Sequence, residues 1–211
     1  MDFIKEPMAI ENRSMELIAP HLEGLHLDER ATKLYSRLIH ASGDVGYAPI
    51  TRVHPEAIDR AIEALKAGAH IYTDVEMVRT GINKKKLASF GGEVHCLVAD
   101  PEVAARAKAE GITRSMVAMR QFGKALDGSI VAIGNAPTAL FEVLRLVREE
   151  GIRPACIVGI PVGFVGAAES KAALASHGIV PYITVEGTKG GSPIAAAAIN
   201  ALMYLIDNTR P

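Results

Sequence analysis

The chain has 211 residues, 49% of them apolar, only 5% aromatic and none tryptophan, so one substantial core must be filled by small aliphatic side chains. A net charge of −1 excludes the strongly basic balance of a nucleic-acid or anionic-membrane binder. No run approaches the roughly 18 apolar residues of a membrane span, and the charges of Asp2, Lys5 and Glu6 argue against a signal peptide, so a cytoplasmic protein with no membrane partner is expected.

Residues 1–27 are the least regular, with a short helix expected over 12–18 and limited by Pro20, since proline disfavours helical geometry in the residue before it. Asp28 is a plausible N-cap for a helix to about Ile39, with Leu34, Tyr35 and Leu38 facing inward. The stretch His40-Ala41-Ser42-Gly43-Asp44 ends that helix, and 45–54 reads as a loop. A clear amphipathic helix follows over 55–66, carrying Ile58, Ala61, Ile62 and Leu65 at helical spacing and closed by Gly68. From there strands and helices alternate. The first strand, 70–73, ends at Asp74 before a short helix over 75–79. The second, 94–98, ends at Asp100-Pro101, with helices over 102–109 and 115–126 behind it. The third, 130–133, stops at Gly134-Asn135-Ala136-Pro137, and Leu140, Val143, Leu144 and Val147 mark one face of the helix over 138–150. The fourth, 155–159, stops at Pro161-Val162-Gly163, with a helix starting near Gly166. The fifth, 180–185, runs into a glycine-rich turn, after which Ser192 is placed to cap the last helix and Pro193 to open it.

Continuous β-branched runs of this kind are the mark of buried parallel strands covered by helices on both faces. Five of them predict a three-layer α/β/α domain with a parallel, doubly wound sheet, and the order 2-1-3-4-5 is preferred by fold analogy alone. Residues 1–54 would form a helical extension and active-site loop, and 55–211 the core. Ligands bind such sheets beyond the carboxyl ends of the strands, which is where the Gly/Pro turns fall.

Neither phosphate motif is present: there is no Walker sequence, and Pro161-Val162-Gly163-Phe164-Val165-Gly166 lacks the first glycine of a dinucleotide fingerprint. The turns at Asn135 and Gly163 would still present backbone N–H groups to an anion. Cys96 and Cys156 sit in apolar strand-like runs and read as free thiols. Of the histidines, His21, His26, His54 and His177 lie in polar or loop contexts, while His70 and His95 read as structural strand residues. No pair has metal-ligand spacing, so no metal is expected. His40 differs, standing at a helix end beside small residues and ahead of Ser42 and Asp44; it is either a catalytic group or a surface histidine at a helix C-terminus. Basic residues available to one cleft are Arg13, Arg79, Lys84 to Lys86, Arg114, Lys171 and Lys189, and the fork of Arg114, just ahead of a helix, suits a carboxylate.

Five stretches carry a resemblance: His40 to Asp44, Asp74 to Val78, Thr113-Arg114-Ser115, Gly134 to Leu140 and Pro161 to Lys171. Together they resemble the precorrin-8X methylmutase family, from about Ile10 to Leu202. That resemblance implies a flavodoxin-like fold, a homodimer with its active site near the subunit interface, and a step of corrin biosynthesis. In that step a methyl group migrates from C11 to C12 of the macrocycle as a 1,5-sigmatropic shift. It implies that His40 is the catalytic histidine and that Ser14 and Arg114 hold the substrate, a large polycarboxylate tetrapyrrole. Ser42 and Asp44 look more like the branch that acts on a cobalt-containing substrate. An intramolecular shift needs no cofactor. Two other readings stay open: a corrinoid-binding module without turnover, and a phosphate- or nucleotide-binding α/β enzyme, against which the missing glycine motifs count.

Overall fold

The computed structural model describes residues 3–207. Its strands are β1 (Thr51–Val53), β2 (Ile71–Thr73), β3 (Val94–Cys96), β4 (Ile130–Ile133), β5 (Cys156–Gly159) and β6 (Tyr182–Val185), and they form one sheet in the order β1-β6-β5-β4-β2-β3. From β2 to β6 every pairing is parallel, and counted from the expected first strand their order is 2-1-3-4-5. The sheet nevertheless has six strands, not five. β1 pairs antiparallel with β6, Thr51 opposite Val185, inside the segment expected to be a loop. Its three residues lie between Pro49 and Pro55, too short a run to show a period of two.

Successive side chains of each strand point to opposite faces. Ile71, Ile130, Ala132, Val158 and Ile183 pack under α2 (Glu29–Ser42), α3 (Ala57–Lys66) and α10 (Ser192–Leu205). Tyr72, Val131, Ile133 and Ile157 pack under α7 (Arg114–Phe122), α8 (Pro137–Glu149) and α9 (Ala167–His177). Both faces are covered, so every residue of β4 and β5 is buried.

Caps explain most displaced boundaries. Helix α1 (Pro7–Ile18) starts well before the expected residue 12, because the Glu6 carboxylate accepts the N–H groups of Met8 (2.9 Å) and Ala9, with Pro7 at the first position. Helix α2 runs past Ile39 to Ser42 and stops at Gly43, whose φ of 65° is the left-handed geometry a helix end uses. His40 therefore stands inside the last turn instead of beyond it. Between α4 (Glu76–Gly81) and β3 lies an unexpected helix, α5 (Lys84–Ser89), capped by the Asn83 side chain on Lys86 N–H at 3.1 Å. Helix α6 (Pro101–Glu110) packs beside α7. At α10 the N-cap is Gly191, and Ser192, expected there, is already helical and makes no cap bond. Cys96 and Cys156 are free thiols with β2 and β4 between their strands, and burial pushes Cys156 up to about 12. Among the described residues no helix is long and apolar enough to cross a membrane.

Candidate active site

Asp74, at the carboxyl end of β2, is fully buried. Its carboxylate accepts the backbone N–H groups of Gly134 (3.0 Å), Asn135 (2.8 Å) and Ala136 (2.7 Å). Burial raises its pKa above the ordinary aspartate value, although those three hydrogen bonds pull the other way. One strand end thus locks the turn that follows its neighbour β4. The fit is tight: a Cβ on Gly134 would lie 2.7 Å from the Ser192 Cα. The consequence corrects the expectation for this turn. The Asn135 N–H is spent inside the protein, and only its exposed side chain faces outward as a donor. Gly163 is in the same position, because its N–H goes to the Thr188 carbonyl at 3.1 Å.

The last turn of α2 delivers His40 to the same edge. His40 is exposed, and its imidazole makes no hydrogen bond or ion pair to a described residue. Beside it, Ala41, Ser42, Asp44, Tyr47, Val162, Lys189, Gly190, Pro193 and Ile194 line an open cavity of about 410 Å³. Ser42 Oγ donates to the Ile39 carbonyl (2.9 Å) and accepts the Asp44 N–H (3.1 Å), which shapes the turn after the helix. Asp44 pairs with Lys189, and that hydrogen bond together with one from Gly46 N–H holds its carboxyl below the usual range. Lys171, buried on α9, donates to the Lys189 carbonyl, and desolvation lowers it to about 8. The loop after β6 is thereby tied both to α9 and to the end of α2.

The remaining expected residues separate by their partners. Arg13 is paired with Glu16 (2.9 Å) and Arg79 with Glu76 (2.6 Å), each one helical turn away. Ser14 Oγ donates to the Ile10 carbonyl at 2.8 Å. Arg114 is exposed at the start of α7 and has no such partner; among the described arginines it alone makes neither a hydrogen bond nor an ion pair. Thr113, which caps α7, shares a 2.8 Å hydrogen bond with Thr138 of α8. Arg114 therefore stands beside the start of α8 and the turn bearing Asn135. Arg114 thus falls near the turn after β4, while Ala41, the neighbour of His40, shares one cavity with Val162 and Lys189 of the loops after β5 and β6. Arg13 and Ser14 ride on α1, which packs against α2.

Two features escaped the sequence reading. The organising role of Asp74 had no local signal, because its acceptor bonds reach sixty or more residues along the chain. The second is a proximity that sequence spacing did not show: ligand atoms of His70, Glu93 and His95 lie within 4.8 Å of one another at the opposite end of the sheet.

Comparison with known proteins gives one consistent answer. The sequence model of a family described as precorrin-8X methylmutase matches residues 9–205. A cobalt-precorrin-8 methylmutase of Priestia megaterium is 41% identical over 203 residues, covering 96% of this chain and 90% of the relative. A precorrin-8X methylmutase of a Sinorhizobium species is 44% identical over 202 residues, covering 95% and 96%. The crystal structure of precorrin-8x methyl mutase from Thermus thermophilus superposes with a TM-score of 0.87 at 40% identity, over 95% of this chain and 96% of that one.

Proposed function

This chain belongs to the precorrin-8X methylmutase family, and from that membership we propose that it moves a methyl group from C11 to C12 of a precorrin-8-type macrocycle, with His40 as proton donor and Arg114 as a clamp on a substrate carboxylate. The enzyme is an isomerase of corrin biosynthesis: the methyl group stays within one molecule, so substrate and product have the same atoms and no electrons are exchanged with a partner. The observation that carries this reading is the family match across residues 9–205.

The residue roles rest on chemistry at the carboxyl edge. Protonating a ring nitrogen makes the conjugated system more electron-poor and lowers the barrier to migration. A histidine is suited to hold that proton near neutral pH, and the His40 imidazole is engaged by no described residue. Ala41 and Gly43 leave room for a flat ring to approach. The Arg114 guanidinium, without a partner among the described residues, can take an acetate or propionate side arm bidentately. The exposed side chain of Asn135 is a second donor beside it. Arg13 and Arg79 join only by releasing their glutamates, and Ser14 contributes its hydroxyl as an acceptor while bonded to Ile10. Gly163 acts through its lack of a side chain beside the cavity, not through its engaged N–H.

A homodimer, a flavodoxin-like sheet with an added antiparallel strand, and a cytoplasmic setting that suits two free thiols complete the proposal. The relatives carry both names, with and without cobalt, and the Ser42 and Asp44 motif favours the cobalt-containing substrate. Single-turnover absorbance with metal-free and cobalt-containing precorrin-8, side by side, tests this. Conversion is expected with both and faster with cobalt. Ring binding without conversion of either would establish the binding-module reading instead.

A further inference from the structure

Three ligand-type side chains that take no part at the carboxyl edge meet at the other end of the sheet. His70 immediately precedes β2, Glu93 immediately precedes β3, and His95 lies within β3. The parallel register sets Ile71 against Val94 and Tyr72 against His95, so His70 stands beside Glu93. Alternation along each strand then turns His70, Tyr72, Glu93 and His95 to one face. Ligand atoms of the two histidines and the glutamate all lie within 4.8 Å of one another. The histidine rings are edge to face with centroids 5.1 Å apart; His95 also stacks on Tyr72 at 5.1 Å, and Tyr72 packs on Phe122 at 4.7 Å. His95 is therefore held by its neighbours before any ligand arrives.

We propose that His70, Glu93 and His95 form a binding site for a divalent cation of the zinc class, which ties edge strand β3 to β2 at the end of the sheet opposite His40 and Arg114. Two imidazoles and a carboxylate are a donor set that zinc accepts, with a water in the fourth position. Bonds of about 2.0–2.2 Å to each donor require the three groups to draw together. Most of that movement falls to Glu93, which is exposed. His70 Nδ1 now accepts the Glu93 N–H at 3.1 Å. An ion using that lone pair displaces the N–H, which passes to water at this exposed position. The benefit falls on the edge: β3 has three residues and pairs with β2 alone, so a coordinate cross-link adds to a short ladder. Because the active site lies at the other strand ends, neither the methyl shift nor its test depends on this site.

The test is a titration of the full chain with zinc, followed by calorimetry and by NMR of the histidine side chains. One saturable equivalent is expected. The His70 and His95 resonances should move and those of the other five histidines, out of seven, should not. The melting temperature should rise with zinc concentration, as it does when a ligand binds only the folded state. Glu93→Gln and His70→Gln should each weaken binding by about ten-fold or more; Glu93 is exposed, so its variant reports on the site without disturbing the core. Absence of saturable binding up to millimolar zinc, shifts confined to other histidines, or variants that bind like the parent would overturn the proposal.

Discussion

Among the described residues His40 gives its imidazole to no partner, and its neighbours Ala41 and Gly43 block no approach. Removing it should therefore cost chemistry and little else. His40→Ala is expected to lower single-turnover conversion by about 10²–10⁴-fold, the usual range for a lost general acid, while substrate affinity falls far less. His40→Asn should not rescue the rate, because an amide can hydrogen-bond but has no acidic proton to give. Either variant converting substrate within a few-fold of the parent would mean that His40 donates no proton. Arg114 calls for the opposite readout. Loss of one charge-assisted hydrogen bond costs about 1.5–3 kcal/mol, so Arg114→Ala should weaken substrate binding by roughly ten- to a hundred-fold with the fold intact. Unchanged affinity in a titration would place it outside the site. Both residues stand out in the sequence as candidates because each sits in a short local motif of the family that the chain resembles. Asp74 stood in such a motif too, but its work was not legible: a carboxylate that closes a turn on another strand leaves no trace within any window of the sequence.

At the scale of elements, α7 and α8 are joined by an acid between two arginines. Glu142 is 2% exposed and accepts hydrogen bonds from Arg120 (3.0 and 3.1 Å) and from Arg145 (2.7 and 3.0 Å). Burial by itself would raise its pKa, but the two guanidiniums outweigh burial and hold it below the ordinary glutamate value. A carboxyl depressed in the fold contributes stability that is present above its unfolded pKa and lost as pH falls through its folded one. Glu142→Gln should thus cost roughly 2–3 kcal/mol at pH 7, somewhat less than a fully buried pair because the arginines are partly exposed. The deficit should shrink progressively below about pH 4.5. Urea unfolding of parent and variant at both pH values measures it, and equal midpoints at pH 7 would show the network to be neutral. Elements differ in how far the sequence reveals them for reasons of the same kind. Helix α8 has a full apolar stripe and was expected nearly to its ends. Helix α5 buries Leu87 alone, so no period is visible and the Asn83 cap is the local signal that marks its start.

For the whole molecule, strand–helix alternation and right-handed crossovers predict parallel pairing, the order of the five parallel strands comes from fold analogy alone, and the antiparallel β1 is covered by neither. Assembly is a separate question. A run of alanines such as that of α10 permits close helix contact between subunits, but Ala195, Ala196 and Ala198 are buried within this chain, under α2 and α4. The apolar surface left over lies elsewhere. Phe164 and Val165 are 92% and 90% exposed on the loop after β5, with Val162 and Phe141 also exposed nearby. Burying a side chain of this kind is worth about 1.5–3 kcal/mol, so two copies meeting across this loop would gain on both sides of a two-fold axis. Sedimentation of the parent is expected to give twice the 22.4 kDa of one chain, and the pair Phe164→Asp, Val165→Asp should return it to one chain. Val162 of the same loop lines the cavity beside His40, so the monomeric variant should also lose turnover, even though His40 and Arg114 are untouched. A parent that sediments as a monomer at micromolar concentration would refute the dimer. If the parent is a dimer and the loop variant remains one, the contact lies on another face, and Phe164 and Val165 are left exposed for the macrocycle itself, which weakened substrate binding by the same variant would then report.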